Sequence, residues 1–254
     1  MSEMTEYTPG TPSWIDVSTP DMEATKAFYG ALFGWEEATY PEMGGYTNFT
    51  MHGKMVCGAA PTMPPDQHPA WTTYISVDDA DATARAVGEN GGQVAFPPMD
   101  VAALGRMAIC SDPTGAFFGL WQPGQHKGAQ LVNEPGSLSW NQLNTRDIDA
   151  AKAFYTKVFP WTAETHGEGQ YAYTEWQLDG RSIAGGMVMD ESFPAELPAH
   201  WQTFFAVADC DATVAKAQER GGSVLMPAMD IDQGRFAVIS DPQGAAFSVI
   251  QLKQ

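Results

Sequence analysis

Two stretches of this chain carry the same text in the same register. PSWIDVSTPDMEATKAFYGALFGW runs from Pro12 to Trp35, and SLSWNQLNTRDIDAAKAFYTKVFPW runs from Ser137 to Trp161. The correspondence continues: Trp71 to Tyr74 answers Trp201 to Phe204, and Gly91-Gly92 answers Gly221-Gly222. Gly105-Arg106 then answers Gly234-Arg235, and Ser111 to Gly115 answers Ser240 to Gly244. A duplication of this length in 254 residues predicts two compact domains, not a solenoid of short units. The expected boundaries are residues 8–123 and 136–254, joined by a Gly-, Gln- and Pro-rich linker at 124–135. A position kept in both copies serves the shared fold, whereas one that differs is free to serve a task of its own.

A formal net charge of -18 argues against nucleic acid or an anionic membrane as a partner, because both would repel the chain. The segment MSEMTEYTPG lacks a basic region followed by an apolar run, and no apolar stretch is long enough to span a bilayer. The three cysteines, Cys57, Cys110 and Cys210, form no CxxC pair and read as small buried hydrophobes in a reducing compartment. Together these point to the cytoplasm.

Each half opens with a short strand, Trp14 to Ser18 or Leu138 to Asn144. A helix follows whose apolar residues recur at helical spacing: Met22, Thr25, Phe28, Tyr29, Leu32 and Phe33 in the first copy. Thr19 suits its N-cap and Pro20 its first turn. Three strands come next, at Glu36 to Tyr40, Tyr46 to His52 and Met55 to Pro61, answered by Thr162 to Thr165, Tyr171 to Leu178 and Ser182 to Met189. A strand at Trp71 to Val77 then leads into an Ala-rich helix at Ala80 to Asn90, with Gly91-Gly92 as left-handed caps. Three more strands follow, the last two joined by Asp112-Pro113-Thr114-Gly115, which suits a type I turn. Strand, helix and three strands thus occur twice in each half.

The AFY…LFGW and AFY…VFPW helices, the VDDADA and VADCDA helix starts, and the SDPTG and SDPQG turns resemble the vicinal oxygen chelate superfamily. That group includes glyoxalase I, bleomycin-resistance proteins and extradiol dioxygenases, and the chain looks most like two-domain glyoxalase-like proteins of actinobacteria. The resemblance covers nearly the whole chain. It implies an α+β fold, with tandem βαβββ units forming two glyoxalase-like domains whose mixed sheets curl around a cup. It also implies a divalent metal in each cup, held by His, Gln or Glu from the first, fifth and eighth strands. The matching positions here are Trp14, Thr72 and Gly119, then Trp140, Gln202 and Ser248. Neither set suits a transition metal, which wants imidazole, carboxylate or thiolate. The expectation is therefore a chain that keeps the fold without a cofactor.

Strand alternation separates the faces. Ile15, Val17, Ile75, Val77, Phe118 and Leu120 share the core-facing parity. The opposite parity gives Trp14, Asp16, Thr72, Tyr74 and Trp121 in the first half. In the second it gives Trp140, Gln142, Asn144, His200, Gln202, Phe204, Ser248 and Ile250. Aromatic faces with a few polar tips suit a small-molecule cavity, and also a cup filled by its own side chains. Asp16 and His200 are the candidate catalytic groups, His200 alternatively being structural. His126 in the linker and His166 in a Gly-rich turn read as solvated. Arg106 and Arg235 read either as anion binders at the cup rim or as partners of Asp100 and Asp230. No Ser-His-Asp order, Cys-His pairing, phosphate loop or dinucleotide fingerprint appears.

The function expected is metal-independent binding of an aromatic or heterocyclic metabolite, by stoichiometric capture as in bleomycin resistance. The alternative is a lyase, isomerase or oxygenase, metal-free or with an unrecognised metal site. The partner is a small molecule, and the chain is a monomer with paired domains or a homodimer.

Overall fold

The structure, a computed structural model, describes residues 2–64, 67–169 and 172–253. After a two-residue strand, β1 (Ser2–Glu3), the chain builds β2 (Pro12–Thr19), α1 (Met22–Phe33), β3 (Glu36–Tyr40), β4 (Tyr46–Met51) and β5 (Lys54–Pro61). A second module follows: β6 (Ala70–Ser76), α2 (Ala80–Glu89), β7 (Gln93–Val101), β8 (Gly105–Ser111) and β9 (Phe117–Pro123). The short β10 (Leu131–Val132) leads to β11 (Leu138–Thr145), α3 (Ile148–Val158), β12 (Thr162–His166), β13 (Tyr173–Leu178) and β14 (Arg181–Val188). The fourth module is β15 (His200–Ala206), α4 (Cys210–Glu219), β16 (Ser223–Ile231), β17 (Gly234–Ser240) and β18 (Ala246–Leu252). The expected strand Tyr171 to Leu178 is observed from Tyr173, and Tyr171 lies outside the described residues.

Each half forms one mixed sheet. The first has the order β3-β4-β5-β2-β6-β9-β8-β7, and the second repeats it as β12-β13-β14-β11-β15-β18-β17-β16. In each, the two modules meet through an antiparallel pair of first strands, and parallel pairs flank that seam. This is the α+β arrangement of tandem βαβββ units that the resemblance implies. Strand alternation holds, since Ile15, Val17, Ile75, Phe118 and Leu120 are fully buried.

Among the described residues the four α-helices begin at an aspartate. Asp21, Asp79, Asp147 and Asp209 each accept a hydrogen bond from the amide three residues on. Thr19 is therefore not the cap of α1, and Pro20 precedes the helix. The Thr19 hydroxyl instead accepts from the Asp21 amide at 3.2 Å, orienting the residue that caps. Of Gly91-Gly92 only Gly91 is left-handed, at φ +89°. Gly92 is needed for a different reason, because a Cβ there would lie 2.6 Å from the Ser111 carbonyl oxygen.

The halves do not bury separate cores. One core joins Ile15, Phe28, Tyr29 and Trp35 to Phe205, Ala217, Ile239 and Phe247. The other joins Ile75, Val87, Phe118 and Leu120 to Phe154, Tyr155, Trp161 and Trp176. Each core is walled by the first module of one half and the second module of the other. The duplicated motifs provide the crossings. Tyr29 donates to Asp241 at 3.2 Å, and Tyr155 donates to Asp112 at 3.0 Å. Trp35 Nε1 donates to the Gly136 carbonyl and Trp161 Nε1 to that of Gly10, each at 2.7 Å. The three free cysteines are buried, as expected of small hydrophobes.

Removing the Tyr155 hydroxyl leaves one acceptor of a nearly inaccessible carboxylate without its donor. Tyr155→Phe is expected to lower unfolding free energy by about 1–3 kcal/mol in denaturant titrations. Because the cores are shared, unfolding of the variant should still be one transition; separate melting of the halves would contradict the shared-core account.

Candidate functional site: two aromatic cups

The face of each sheet turned away from the cores carries the candidate site residues. In the first cup Trp14, Tyr74 and Trp121 pack into one cluster with Ala129. Asp16 lies beside them at 7 % exposure, with half-buried Thr72 as its cross-strand partner. Trp14 Nε1 donates to the Tyr46 hydroxyl at 2.9 Å, and that hydroxyl donates to Asp16 Oδ2 at 3.1 Å. The nearby Tyr74 side chain also favours the ionised carboxylate. Burial raises the Asp16 carboxyl from the usual 3.8 to about 6, and the two tyrosines only partly oppose this.

The second cup repeats the first contact and changes the rest. Trp140 Nε1 donates to the Tyr173 hydroxyl at 2.9 Å. Where the first cup has Asp16, Tyr74 and Trp121, the second has Gln142, Phe204 and Ile250. Gln142 Nε2 donates to Asn144 Oδ1 at 2.8 Å, and Asn144 Nδ2 lies 3.0 Å from His200 Nε2. His200 Nδ1 lies 2.9 Å from the Pro198 carbonyl oxygen, which assigns the ring proton to Nδ1 and makes Nε2 the acceptor from Asn144. Burial lowers the imidazole pKa, so the ring is neutral with both nitrogens engaged. Gln202 Nε2 donates to Ser248 Oγ at 3.2 Å, and Phe204 faces Phe236 with ring centroids 6.0 Å apart. Trp140 makes no hydrogen bond to the amide cluster among the described residues.

Tyr46 and Tyr173 were not among the site residues singled out from sequence, yet each takes the indole N–H of its cup, and Tyr46 passes the chain on to Asp16. Their hydroxyls lie across Gly58 and Gly185, at the place any larger residue's Cβ would take. A readable signal existed, since each tyrosine precedes its glycine by twelve residues in both copies.

His126 is half-buried, against the expectation of a solvated side chain. The amides of Gly124, Gln125 and His126 bond back to the carbonyls of Ala103 and Leu104, which turns the linker over one end of the first cup. The imidazole then sits edge-on to Trp14, with centroids 4.4 Å apart, and to Trp121 at 5.4 Å. Burial lowers its pKa to about 4. His166 is exposed, as expected, 3.1 Å from Glu175. Arg106 spans Asp81 and Asp100, and Arg235 spans Asp211 and Asp230, at 2.7 to 3.2 Å. Each guanidinium therefore ties a hairpin to a helix start. Two surface hollows lie outside the cups, one of about 530 Å³ beside Arg235 and one of about 660 Å³ beside Arg146.

The family model described as the Glyoxalase/Bleomycin resistance protein/Dioxygenase superfamily matches residues 11–120 and 137–249. The chain belongs to this superfamily. It is 44 % identical over 263 residues to CFP32 of Mycobacterium tuberculosis, whose name assigns it provisionally to the glyoxylases; the match covers 99 % of this chain and 98 % of that protein. It is 40 % identical over 267 residues to the anthracycline biosynthesis protein DnrV of Streptomyces peucetius, covering 99 % and 96 %. The Mn(II)-bound glyoxalase of Novosphingobium aromaticivorans superposes with a TM-score of 0.65 at 14 % identity, covering 97 % of this chain and 84 % of that one.

The metal that superfamily membership implies does not fit the side chains present. Trp14 and Trp140 offer only N–H donors, and both are already used on tyrosine. The Tyr74 ring packs over the bare Cα of Gly119, filling the third position. Gln202 and Ser248 bond each other. Among the described residues, no three His, Cys, Asp or Glu side chains converge as a metal site. No helix among them is long and apolar enough to cross a membrane.

The Asp16 carboxyl also sets a pH dependence. Its folded pKa exceeds its unfolded value, so the folded state binds this proton more tightly and loses stability as pH rises from about 4 through about 6. Asp16→Asn should therefore stabilise the protein by about 3 kcal/mol above pH 7, with the gain vanishing below pH ~4, in denaturant titrations at both pH values. A gain independent of pH would contradict the assignment.

Proposed function

We propose that the protein is a metal-independent binder of a small aromatic or heterocyclic molecule, capturing it without turnover. The single observation behind this reading is that Trp14, Thr72, Gly119, Trp140, Gln202 and Ser248 stand where the resemblance puts metal ligands, with both indoles and the Gln202 amide already hydrogen-bonded within the protein. Aromatic walls with a few convergent hydrogen-bonding groups are how proteins hold planar ligands. The second cup suits a neutral ligand: half-buried Trp140 and Tyr173 offer a stacking wall, with Gln142, Asn144, His200, Gln202 and Ser248 as polar contacts. The names of the relatives accord with this, since one belongs to anthracycline biosynthesis and the superfamily includes bleomycin-resistance proteins.

One observation favours an enzyme instead. Asp16 is a buried carboxyl with a pKa near 6, so it can exchange a proton at neutral pH. His200 is poorly placed for that role because both its nitrogens are engaged.

Calorimetry and tryptophan-fluorescence titration with neutral naphthols and quinolines test the reading. One-to-one binding is expected, weakened about tenfold or more by Trp140→Ala through loss of the stacking wall. No response across the panel, or a response only when divalent metal is added, would overturn it.

A further inference from the structure

The two cups differ in charge, and the difference is coordinated. Where the first cup carries a carboxylate at Asp16, it also carries Tyr74 and Trp121; the second cup replaces all three by Gln142, Phe204 and Ile250. The other two deeply buried aspartates of the duplicated turns are fully engaged. Asp112 accepts from the Thr114 amide and hydroxyl, the Ala116 amide and Tyr155. Asp241 accepts from the Gln243 and Ala245 amides and from Tyr29. Among the described residues Asp16 accepts from the Tyr46 hydroxyl, with Tyr74 nearby, and has no backbone amide donor and no ion pair with Lys, Arg or His. An ionised carboxylate has room for about four donors, so acceptor capacity is left over. A buried charge without a counter-charge is costly, and a ligand that brings the counter-charge recovers that cost. The rings around it, from Trp14, Tyr46, Tyr74 and Trp121, are what attract an organic cation by their π faces. The linker seals the Trp14 and Trp121 end, while Ser18, Asn48 and Thr72 at the other end keep partial solvent exposure. The excess of 31 acidic over 13 basic residues draws cations toward the protein generally.

We propose that the first cup is a site for an organic ammonium group, seated against Asp16 within the aromatic walls, so that the two cups take ligands of different charge. This rests on the metal-free binding reading and names the ligand class of one of its two sites.

The test is isothermal calorimetry with benzyltrimethylammonium, whose charge does not depend on pH, against neutral N,N-dimethylbenzamide. The cation should bind, the amide should not compete with it, and Asp16→Asn should weaken the cation about tenfold or more. Trp121→Ile, which installs the second cup's residue, should weaken it too while keeping the carboxylate. Affinity should rise between pH 5 and 7 as Asp16 ionises. The other titratable groups facing it, Tyr46, Tyr74 and Cys57, are pushed upward by burial and stay neutral across that range. Near-UV circular dichroism checks that each variant is folded. Equal cation binding by wild type and Asp16→Asn, or a pH-independent affinity, overturns the proposal. If naphthols or quinolines bind while the cation does not, the cation site falls and metal-free binding stands. If neither binds, both fall.

Discussion

The buried carboxylates of Asp112 and Asp241 tie this molecule together. Each begins a turn between the last two strands of its half, and each needs a donor that its own half does not provide. Tyr155 and Tyr29 supply those donors from the first helix of the opposite half, and Trp201 and Trp71 in turn donate to the tyrosine hydroxyls at 2.9 and 3.1 Å. The AFY and SDP motifs thus act as a pair across the duplication. With the Trp35 and Trp161 indoles closing onto Gly136 and Gly10, the crossings fix which module faces which.

That arrangement commits one face of each sheet to a shared core and leaves the other face as a cup. The cup-facing positions lie outside the two shared cores, and they are where the copies differ while the fold repeats. Where the first cup has the Asp16 carboxylate, the second has Gln142 in an amide chain that ends on a neutral histidine. The first cup carries the carboxylate, has the linker over one end, and holds His126 against two indoles.

Much of this was legible in the sequence. Repetition gave the order of elements, and period-two alternation separated Ile15 and Val17 from Trp14 and Asp16. The pairing of Arg106 and Arg235 with Asp100 and Asp230 was one of two readings and was legible because all four recur, whereas Asp81 and Asp211, which take two bonds from each guanidinium, were not singled out. What escaped was anything depending on contacts between distant segments. The same helical spacing that marks Tyr29 as a core residue cannot say that its hydroxyl meets a turn of the other half. His126 looked solvated because a Gly-, Gln- and Pro-rich segment gives no periodicity, and its burial comes from amides bonding back to Ala103 and Leu104. Thr19 and Asp21 are both good cap residues, and only the carboxylate reaches the Ala24 amide.

The central claim is that neutral side chains have taken over the positions where this fold grips a cation. Electron paramagnetic resonance of the purified protein titrated with Mn(II) tests it most directly. The account expects the free-ion signal to track the total manganese added, with no saturable site near one equivalent per chain. Stoichiometric loss of that signal, abolished by Asp16→Asn or Gln202→Ala, would place a metal in a cup and contradict the claim.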